Sequence, residues 1–301
     1  VLRLPNFPNI EFWFQPDVIR KLTYLKQYIW QIDNEDVRDF FKVAYSETVR
    51  ESSLTRNAEF KLFRMTEKQM SSFNPDVYGI IENKLSRNRK GMLTYLAALK
   101  QSPRKASVTV YDFNTVEGIP ETVSPSDFDL IITSPPYGDS RTTVAYGQYS
   151  RLSSQWLDLE EPNLVDKKLM GGQSNGHIPK FDCPSLDKAI KKISDVDHKR
   201  SLEIASFYID LEKSIHNVSH LIRRAGYVCY VVGNRRVKGV TLPTDQAIVS
   251  FFERNKFACV DTFLRSIPNK RMPAKNSPTN EPGKLDTTML NEYIVVMRKQ
   301  K

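Results

Sequence analysis

Apolar residues recur at helical spacing along the first third of the chain. Within residues 16–31, Leu22, Leu25 and Ile29 fall on one face, and Pro16 occupies an early helical position where its missing N–H is not needed. The same periodicity predicts two further helices, over residues 34–50 and 75–101. We therefore predict that residues 1–104 form a helical region.

The pattern changes after residue 105, where short apolar runs replace the helical periodicity. Residues 128–134, FDLIITS, form an apolar run closed by Pro-Pro, which is typical of a buried parallel strand. The alternation of strands and helices predicts an α/β layered domain with a mostly parallel sheet over residues 105–301. Strands are predicted over 107–113, 128–134, 227–233, 257–267 and 291–299, and helices over 200–224, ending at Arg223-Arg224 before Gly226, and over 244–255.

Composition narrows the class of protein. The chain has 301 residues, of which 40% are hydrophobic and 26% charged, and these values are ordinary for a folded protein. No run of about 18 apolar residues and no secretory signal is visible, so we expect a cytosolic protein without a membrane partner. Lys and Arg number 44 against 35 Asp and Glu, and the net charge of +9 is compatible with a nucleic-acid partner. Metal-type spacing is absent from the three cysteines, Cys183, Cys229 and Cys259.

The segment Thr133-Ser134-Pro135-Pro136-Tyr137 is the best candidate for chemistry. It follows the predicted strand 128–134 directly, and prolines cannot continue a ladder, so the chain must leave the sheet there. Ligand sites in such sheets lie at the carboxyl ends of the strands. Ser134 offers a hydroxyl, Pro135 a carbonyl and Tyr137 a flat face, all on a backbone stiffened by two prolines. The alternative is a plain Pro-Pro turn followed by a core tyrosine.

This segment resembles motif IV of the amino-methylating DNA methyltransferases, which carry D/N/S-P-P-Y/F at this strand end. Residues 134–153, 231–245 and 267–280 are similar to segments of one group of prokaryotic site-specific DNA methyltransferases, and the resemblance runs from about residue 9 onward. It implies a Rossmann-like class I methyltransferase sheet with an added N-terminal helical region. It also implies S-adenosylmethionine as methyl donor, no metal, double-stranded DNA as partner, and the prokaryotic cytosol as location.

The resemblance assigns roles within the motif. Ser134 and the Pro135 carbonyl would accept N–H groups of a base flipped out of the duplex, Pro136 would keep the backbone rigid, and Tyr137 would stack on the base. Serine in the first position is typical of N4-cytosine enzymes, whereas Asp or Asn is more typical of N6-adenine enzymes. We therefore favour N4 of cytosine and keep N6 of adenine as the rival. Because no cysteine sits near the motif, the covalent route to carbon-5 methylation is disfavoured.

Other candidate residues lie beside the motif or after later strands. The resemblance places Asp112, Phe113 and Thr133 near S-adenosylmethionine, although a strand-end Asp equally often caps a turn. Basic and amide side chains on the loops could contact phosphates or base edges, with a solvated basic surface as the alternative. Besides Tyr137, the candidates for DNA contact are Arg141, Asn234, Arg235, Arg236, Lys238, Lys270 and Arg271.

A glycine-rich cofactor loop of the D-P-F-x-G-x-G type, which the resemblance leads us to expect, is not found. The chain holds only 12 glycines, and none follows a predicted strand in a G-x-G pattern. The five predicted strands match the third to seventh of a seven-stranded methyltransferase sheet, so the first two would precede residue 1. We expect a longer native chain or a second polypeptide that carries the loop, with residues 1–104 contacting DNA or that partner. The alternative is a non-catalytic DNA-binding subunit.

Overall fold

The computed structural model describes residues 5, 7–56, 61–103, 106–138, 146–266, 275–276, 286–287 and 291–300. The chain divides into two compact units. Unit 1 comprises Val1–Val110 and Ala145–Asp166, and unit 2 comprises Tyr111–Val144 and Lys167–Lys301. The predicted domain boundary at residues 104 and 105 stays a prediction.

Unit 1 is helical. Two of its longer helices begin at side-chain caps: the Asn34 side chain accepts from the Val37 N–H at 3.0 Å, and that of Asp76 accepts from the Gly79 N–H at 3.2 Å. The helices are α1 (Ile10–Trp13), α2 (Pro16–Trp30), α3 (Glu35–Ser52), α4 (Glu67–Ser71), α5 (Val77–Gln101) and α6 (Tyr146–Trp156).

Aromatic side chains form the centre of unit 1. Trp156 is fully buried and meets the rings of Phe14 and Tyr45 edge-on, with centroids 5.6 and 6.4 Å apart. The buried Tyr45 hydroxyl donates to the Leu22 carbonyl at 3.1 Å, so its polar end is satisfied. These contacts join α6 to the preceding helices, although α6 lies far along the sequence.

Unit 2 is built on a four-stranded mixed sheet. Its strands are β1 (Phe128–Thr133), β2 (Ile222–Val232), β5 (Phe257–Ser266) and β8 (Asn291–Lys299), in the order β1-β2-β8-β5. β1 and β2 are parallel, whereas β8 runs antiparallel to β2 and β5. The remaining strands are the short pairs β3 (Arg236–Val237) with β4 (Val240–Thr241), and β6 (Lys275–Asn276) with β7 (Asp286–Thr287).

Three helices supply most of the unit 2 core: α8 (Pro184–Val196), α9 (His198–Ser219) and α10 (Thr244–Arg254). The short helix α7 (Val165–Lys168) spans the point in the chain at which the two units divide. In α8 the helical spacing of Leu186, Ile190 and Ile193 buries all three side chains. They belong to one buried cluster with Phe251 and Phe252 of α10 and with strand residues such as Val228 and Val295.

The predicted fold class, α/β with an added N-terminal helical region, is confirmed. The sheet is mixed rather than mostly parallel, because β8 enters between β2 and β5 in the opposite direction. The prediction of a strand over 107–113 is wrong. Residues 106–114 pair with no other strand, and Val108 and Val110 are 80% and 89% exposed. β-branched residues form a strand only when a neighbouring strand and a buried face receive them.

The predicted boundary between the helix and the following strand is also wrong. α9 ends at Ser219 and β2 begins at Ile222, whereas the sequence suggested a helix as far as residue 224. The reason is tertiary: Ile222 is fully buried and pairs with Phe128 at the start of β1. Among the described residues, no helix is long and apolar enough to cross a membrane.

Candidate active site

Strand register brings four strand ends to one edge of the sheet. Thr133, the last residue of β1, lies beside Tyr230 of β2, and Val232 at the end of β2 lies beside Tyr293 of β8. On β5, Arg265 lies beside Glu292. The carboxyl ends of β1, β2 and β5 therefore meet the amino end of β8. This is the edge at which the sequence predicts a site.

The predicted motif leaves the sheet at this edge. Ser134 is exposed, and Pro135, Pro136 and Tyr137 are half-buried. Gly138 follows with φ 142°, a backbone conformation that residues with a Cβ rarely adopt, so the turn after the motif requires glycine. The Ser134 hydroxyl donates to the Tyr137 hydroxyl at 3.4 Å, a long hydrogen bond. The turn thus presents Ser134 outward and folds Tyr137 back toward the sheet.

Tyr137 is held by Glu292, which is held in turn by Arg265, and neither of these two residues was predicted from the sequence. Its hydroxyl donates to Oε1 of Glu292 at 2.8 Å, and Nε of Arg265 donates to the other carboxylate oxygen at 3.0 Å. The Glu292 side chain is only 13% exposed, whereas that of Arg265 is 57% exposed. A chain of hydrogen bonds therefore runs from Ser134 through Tyr137 and Glu292 to Arg265.

The ionisation of these groups follows from their contacts. Burial raises the pKa of Tyr137, supported by the hydrogen bond to Glu292 and partly opposed by the one from Ser134. Burial alone would raise the pKa of Glu292, but the hydrogen bonds from Arg265 and Tyr137 hold it below the ordinary value. Glu292 is therefore a carboxylate and Tyr137 a neutral phenol at neutral pH.

Asn234 lies at the same edge, where its side chain is engaged in a structural contact. Its amide nitrogen donates to Oδ1 of Asp245 at 2.8 Å, and its amide oxygen accepts from the Asp245 N–H at 3.2 Å. Asp245 is in the first turn of α10, so Asn234 satisfies a donor at that helix end. The predicted contact of Asn234 with DNA stays a prediction.

The predicted basic residues after β2 surround a small hairpin. Lys238 and Gly239 form the two-residue turn between β3 and β4. Lys238 pairs with Asp197 through Nζ and Oδ2 at 3.0 Å, and the same carboxylate caps α9 by accepting from the Arg200 N–H at 3.0 Å. Arg235 is half-buried and Arg236 is exposed. These basic residues thus lie in the segment that follows the carboxyl end of β2.

The predicted cofactor residues occupy two places. Thr133 ends β1, whereas Asp112 is exposed and Phe113 half-buried in the irregular segment before it. Within the described part of the chain, the only ring contact of Phe113 is with Tyr111, at 6.5 Å between centroids. Three predicted contacts, Arg141, Lys270 and Arg271, lie outside the described residues.

Neither a reactive thiol nor a metal cluster adjoins the motif in the described part of the chain. Cys229 lies opposite Ile132 in the β1–β2 ladder, and burial raises the pKa of its thiol. A protonated thiol is a poor nucleophile at neutral pH. No group of three His, Cys, Asp or Glu side chains among the described residues could hold a metal ion.

The solved structures similar to this chain include three crystal structures of TTHA0409 from Thermus thermophilus, which is described as a candidate DNA modification methylase. They share 17–18% identity over 62–63% of this chain, at TM-scores of 0.29–0.31, and one was solved with S-adenosyl-L-methionine. This chain spans about half the length of those chains, at 49–52%. Likeness at such TM-scores supports no conclusion about function.

Comparison of sequences gave a stronger result. No family model matches the chain. A curated relative, the type II methyltransferase M.MvaI of Kocuria varians, is 39% identical over 309 residues, which cover 99% of this chain and 68% of that protein. The comparisons give no support to the second polypeptide that the missing glycine loop suggested. With identity and coverage of this extent, the chain belongs to the family of type II methyltransferases that includes M.MvaI.

Proposed function

We propose that this protein is a site-specific DNA methyltransferase that moves the methyl group of S-adenosylmethionine to an exocyclic base amino group, N4 of cytosine. The observation that carries the proposal is the placement of Ser134-Pro135-Pro136-Tyr137. An exposed hydroxyl, a proline carbonyl and an anchored aromatic ring stand together at the carboxyl end of β1.

The chemistry of an amino group explains why these residue types suit the reaction. The nitrogen lone pair is delocalised into the base, so the nitrogen is a weak nucleophile. When Ser134 and the Pro135 carbonyl accept its N–H groups, the nitrogen is favoured in the tetrahedral form that can attack a methyl group. The acceptors act by position and charge, and no covalent bond to the protein is required.

Tyr137 suits the second requirement, which is to hold a base outside the duplex. A flipped base needs a flat apolar surface to replace the stacking energy that it loses, and that energy is a few kcal/mol. The half-buried ring of Tyr137 next to Ser134 can supply such a surface. The ring and the hydroxyl would then act on the same base.

S-adenosylmethionine would be held by Asp112, Phe113 and Thr133. The exposed carboxylate of Asp112 can accept hydrogen bonds from an amino group or a hydroxyl, and the half-buried ring of Phe113 can lie against a flat adenine. The sulfonium compound supplies an electrophilic methyl group when bound. The basic residues Arg235, Arg236 and Lys238, with the net charge of +9, support phosphate contact with double-stranded DNA.

Transfer of tritiated methyl groups from S-adenosylmethionine to unmethylated DNA tests the proposal. Ser134→Ala should lower the rate about 10- to 100-fold, since one hydrogen bond that strengthens in the transition state is lost. Ser124→Ala is the matched control, because Ser124 is also exposed and also precedes a proline. Full activity of the Ser134→Ala variant would contradict the assigned role of the motif.

A further inference from the structure

The hydroxyl group of Tyr137 makes a hydrogen bond that base stacking does not require. A phenylalanine would offer a similar face, yet the hydroxyl makes a 2.8 Å hydrogen bond to Glu292 on β8. Because β2 lies between β1 and β8, the segment after β1 and the Tyr137 side chain together span the width of β2 to make this contact.

We propose that Glu292, held in turn by Arg265, is a positioning residue that fixes the ring of Tyr137 for an extruded base. The inference rests on the proposed function, because a fixed tyrosine ring is useful to the protein only if an extruded base stacks on it. Glu292 itself would touch neither the base nor the methyl donor.

The geometry restrains the ring from both ends. The Pro-Pro backbone stiffens the base of the side chain, and the bond to Glu292 holds its tip. With both ends held, the direction of the long axis of the ring is fixed, and the remaining freedom is rotation of the ring about that axis. A fixed ring does not have to be ordered when the base arrives, which lowers the entropic cost of binding in the reactive geometry.

The carboxylate of Glu292 is divided between two partners. Oε1 accepts from Tyr137, while Oε2 accepts from Nε of Arg265 at 3.0 Å. A glutamine here replaces one carboxylate oxygen with an NH₂ group, which donates instead of accepting, so either Tyr137 or Arg265 loses its acceptor. Glu292→Gln is therefore a conservative change in shape that removes the charged acceptor of the Tyr137 hydroxyl.

A double-mutant cycle on methyl transfer separates positioning from general structural damage. Glu292→Gln and Tyr137→Phe should each lower kcat about 5- to 20-fold, the effect expected for losing one well-placed hydrogen bond to a charged group. The KM for DNA should change less than about twofold, because phosphate contacts dominate DNA affinity. The double variant should be no slower than either single variant. Additive losses, or a Glu292→Gln variant with wild-type kcat, would overturn the inference.

Controls match the two substitutions. Glu253→Gln makes the same chemical change at an exposed position on α10, and Tyr227→Phe makes the other change on β2, where the ring contacts the Arg298 guanidinium. Both should retain wild-type kcat. Circular dichroism should show that all variants are folded.

A second measurement does not depend on activity. In protein labelled with ¹³C in its tyrosine rings, the Tyr137 signal is the one that disappears in Tyr137→Phe. The chemical shift of this signal should change in Glu292→Gln and stay the same in Glu253→Gln. An unchanged chemical shift in Glu292→Gln would contradict the inference. If the wild-type chain transfers no methyl group while this signal moves as expected, the proposed function fails and the anchoring of Tyr137 stands.

Discussion

Gly226 is the position at which a single added methyl group should disturb the candidate active site through the backbone. It lies in β2 where the ladder with β1 is irregular. A Cβ atom on residue 226 would lie 2.9 Å from the Asp129 carbonyl oxygen and 3.0 Å from the Arg223 carbonyl oxygen. Both are backbone atoms, so Gly226→Ala can be accommodated only if β1 or β2 moves.

The size of the effect follows from those distances. A carbon and a carbonyl oxygen approach ordinarily to about 3.3–3.6 Å, so the new methyl group overlaps each of the two oxygens by about 0.3–0.7 Å. Overpacking of this kind costs about 1–3 kcal/mol. For a unit of this size, each kcal/mol lowers the Tm by about 2–4 °C, so a shift of about 4–8 °C is expected for a cost near 2 kcal/mol. Since β1 carries Ser134 at its end, methyl transfer should slow as well.

Thermal unfolding followed by far-UV circular dichroism is the suitable assay. Tryptophan fluorescence is not, because all three tryptophans, Trp13, Trp30 and Trp156, belong to unit 1. Gly91→Ala is the matched control: the position is exposed in α5, and a Cβ added there would have no neighbouring atom within 4 Å, so alanine should leave the Tm unchanged or raise it. An unchanged Tm for Gly226→Ala would refute the reasoning.

Three further predictions concern the unit that carries the site. Tyr208→Phe should lower the free energy of unfolding in urea by about 1–3 kcal/mol, because the Tyr208 hydroxyl is fully buried and hydrogen-bonds the Thr244 hydroxyl at 2.9 Å. Burial raises the pKa of Asp210 above its ordinary value of 3.8, so the stability that this group contributes is present below pH 3.8 and is lost as the pH rises through the raised pKa. The Tm of Asp210→Asn relative to that of the wild-type protein should therefore increase with pH over this interval in pH-dependent melting curves. Asn234→Ala should cost about 1 kcal/mol in melting experiments even without DNA, because the contact with Asp245 at the start of α10 is lost.

The elements predicted best from sequence are those whose pattern is local. The helix at residues 16–31 was found at Pro16–Trp30 and the strand at 291–299 at Asn291–Lys299, because periodicity and a Pro at the first turn decide them. α8 was not predicted, although Pro184 at its first position and three apolar residues at helical spacing would have revealed it.

Elements decided by tertiary contacts were predicted poorly. Arg223-Arg224 before Gly226 resembled the end of a helix, but Gly226 serves the close approach of β1 to β2 instead. The reason is that pairing of Ile222 with Phe128, 94 residues apart in the chain, outweighs a local helix signal.

The same limit applies to the candidate site. Ser134 and Tyr137 could be predicted because both belong to one short run of consecutive residues directly after a predicted strand. Glu292 and Arg265 could not, because only the register of β5 with β8 and the order of the four strands bring them to Tyr137. A polar residue at the start of a final strand has no local pattern that marks it.

The most direct test of the account is the chemical identity of the product. DNA methylated by the protein with labelled S-adenosylmethionine is digested to nucleosides, which are separated and identified by mass spectrometry. The account predicts N4-methylcytosine as the labelled nucleoside, with its yield reduced in Ser134→Ala and unchanged in Ser124→Ala. Label on carbon 5 of cytosine, or DNA without label, would contradict it, and N6-methyladenine would keep the amino-group chemistry while overturning the choice of base.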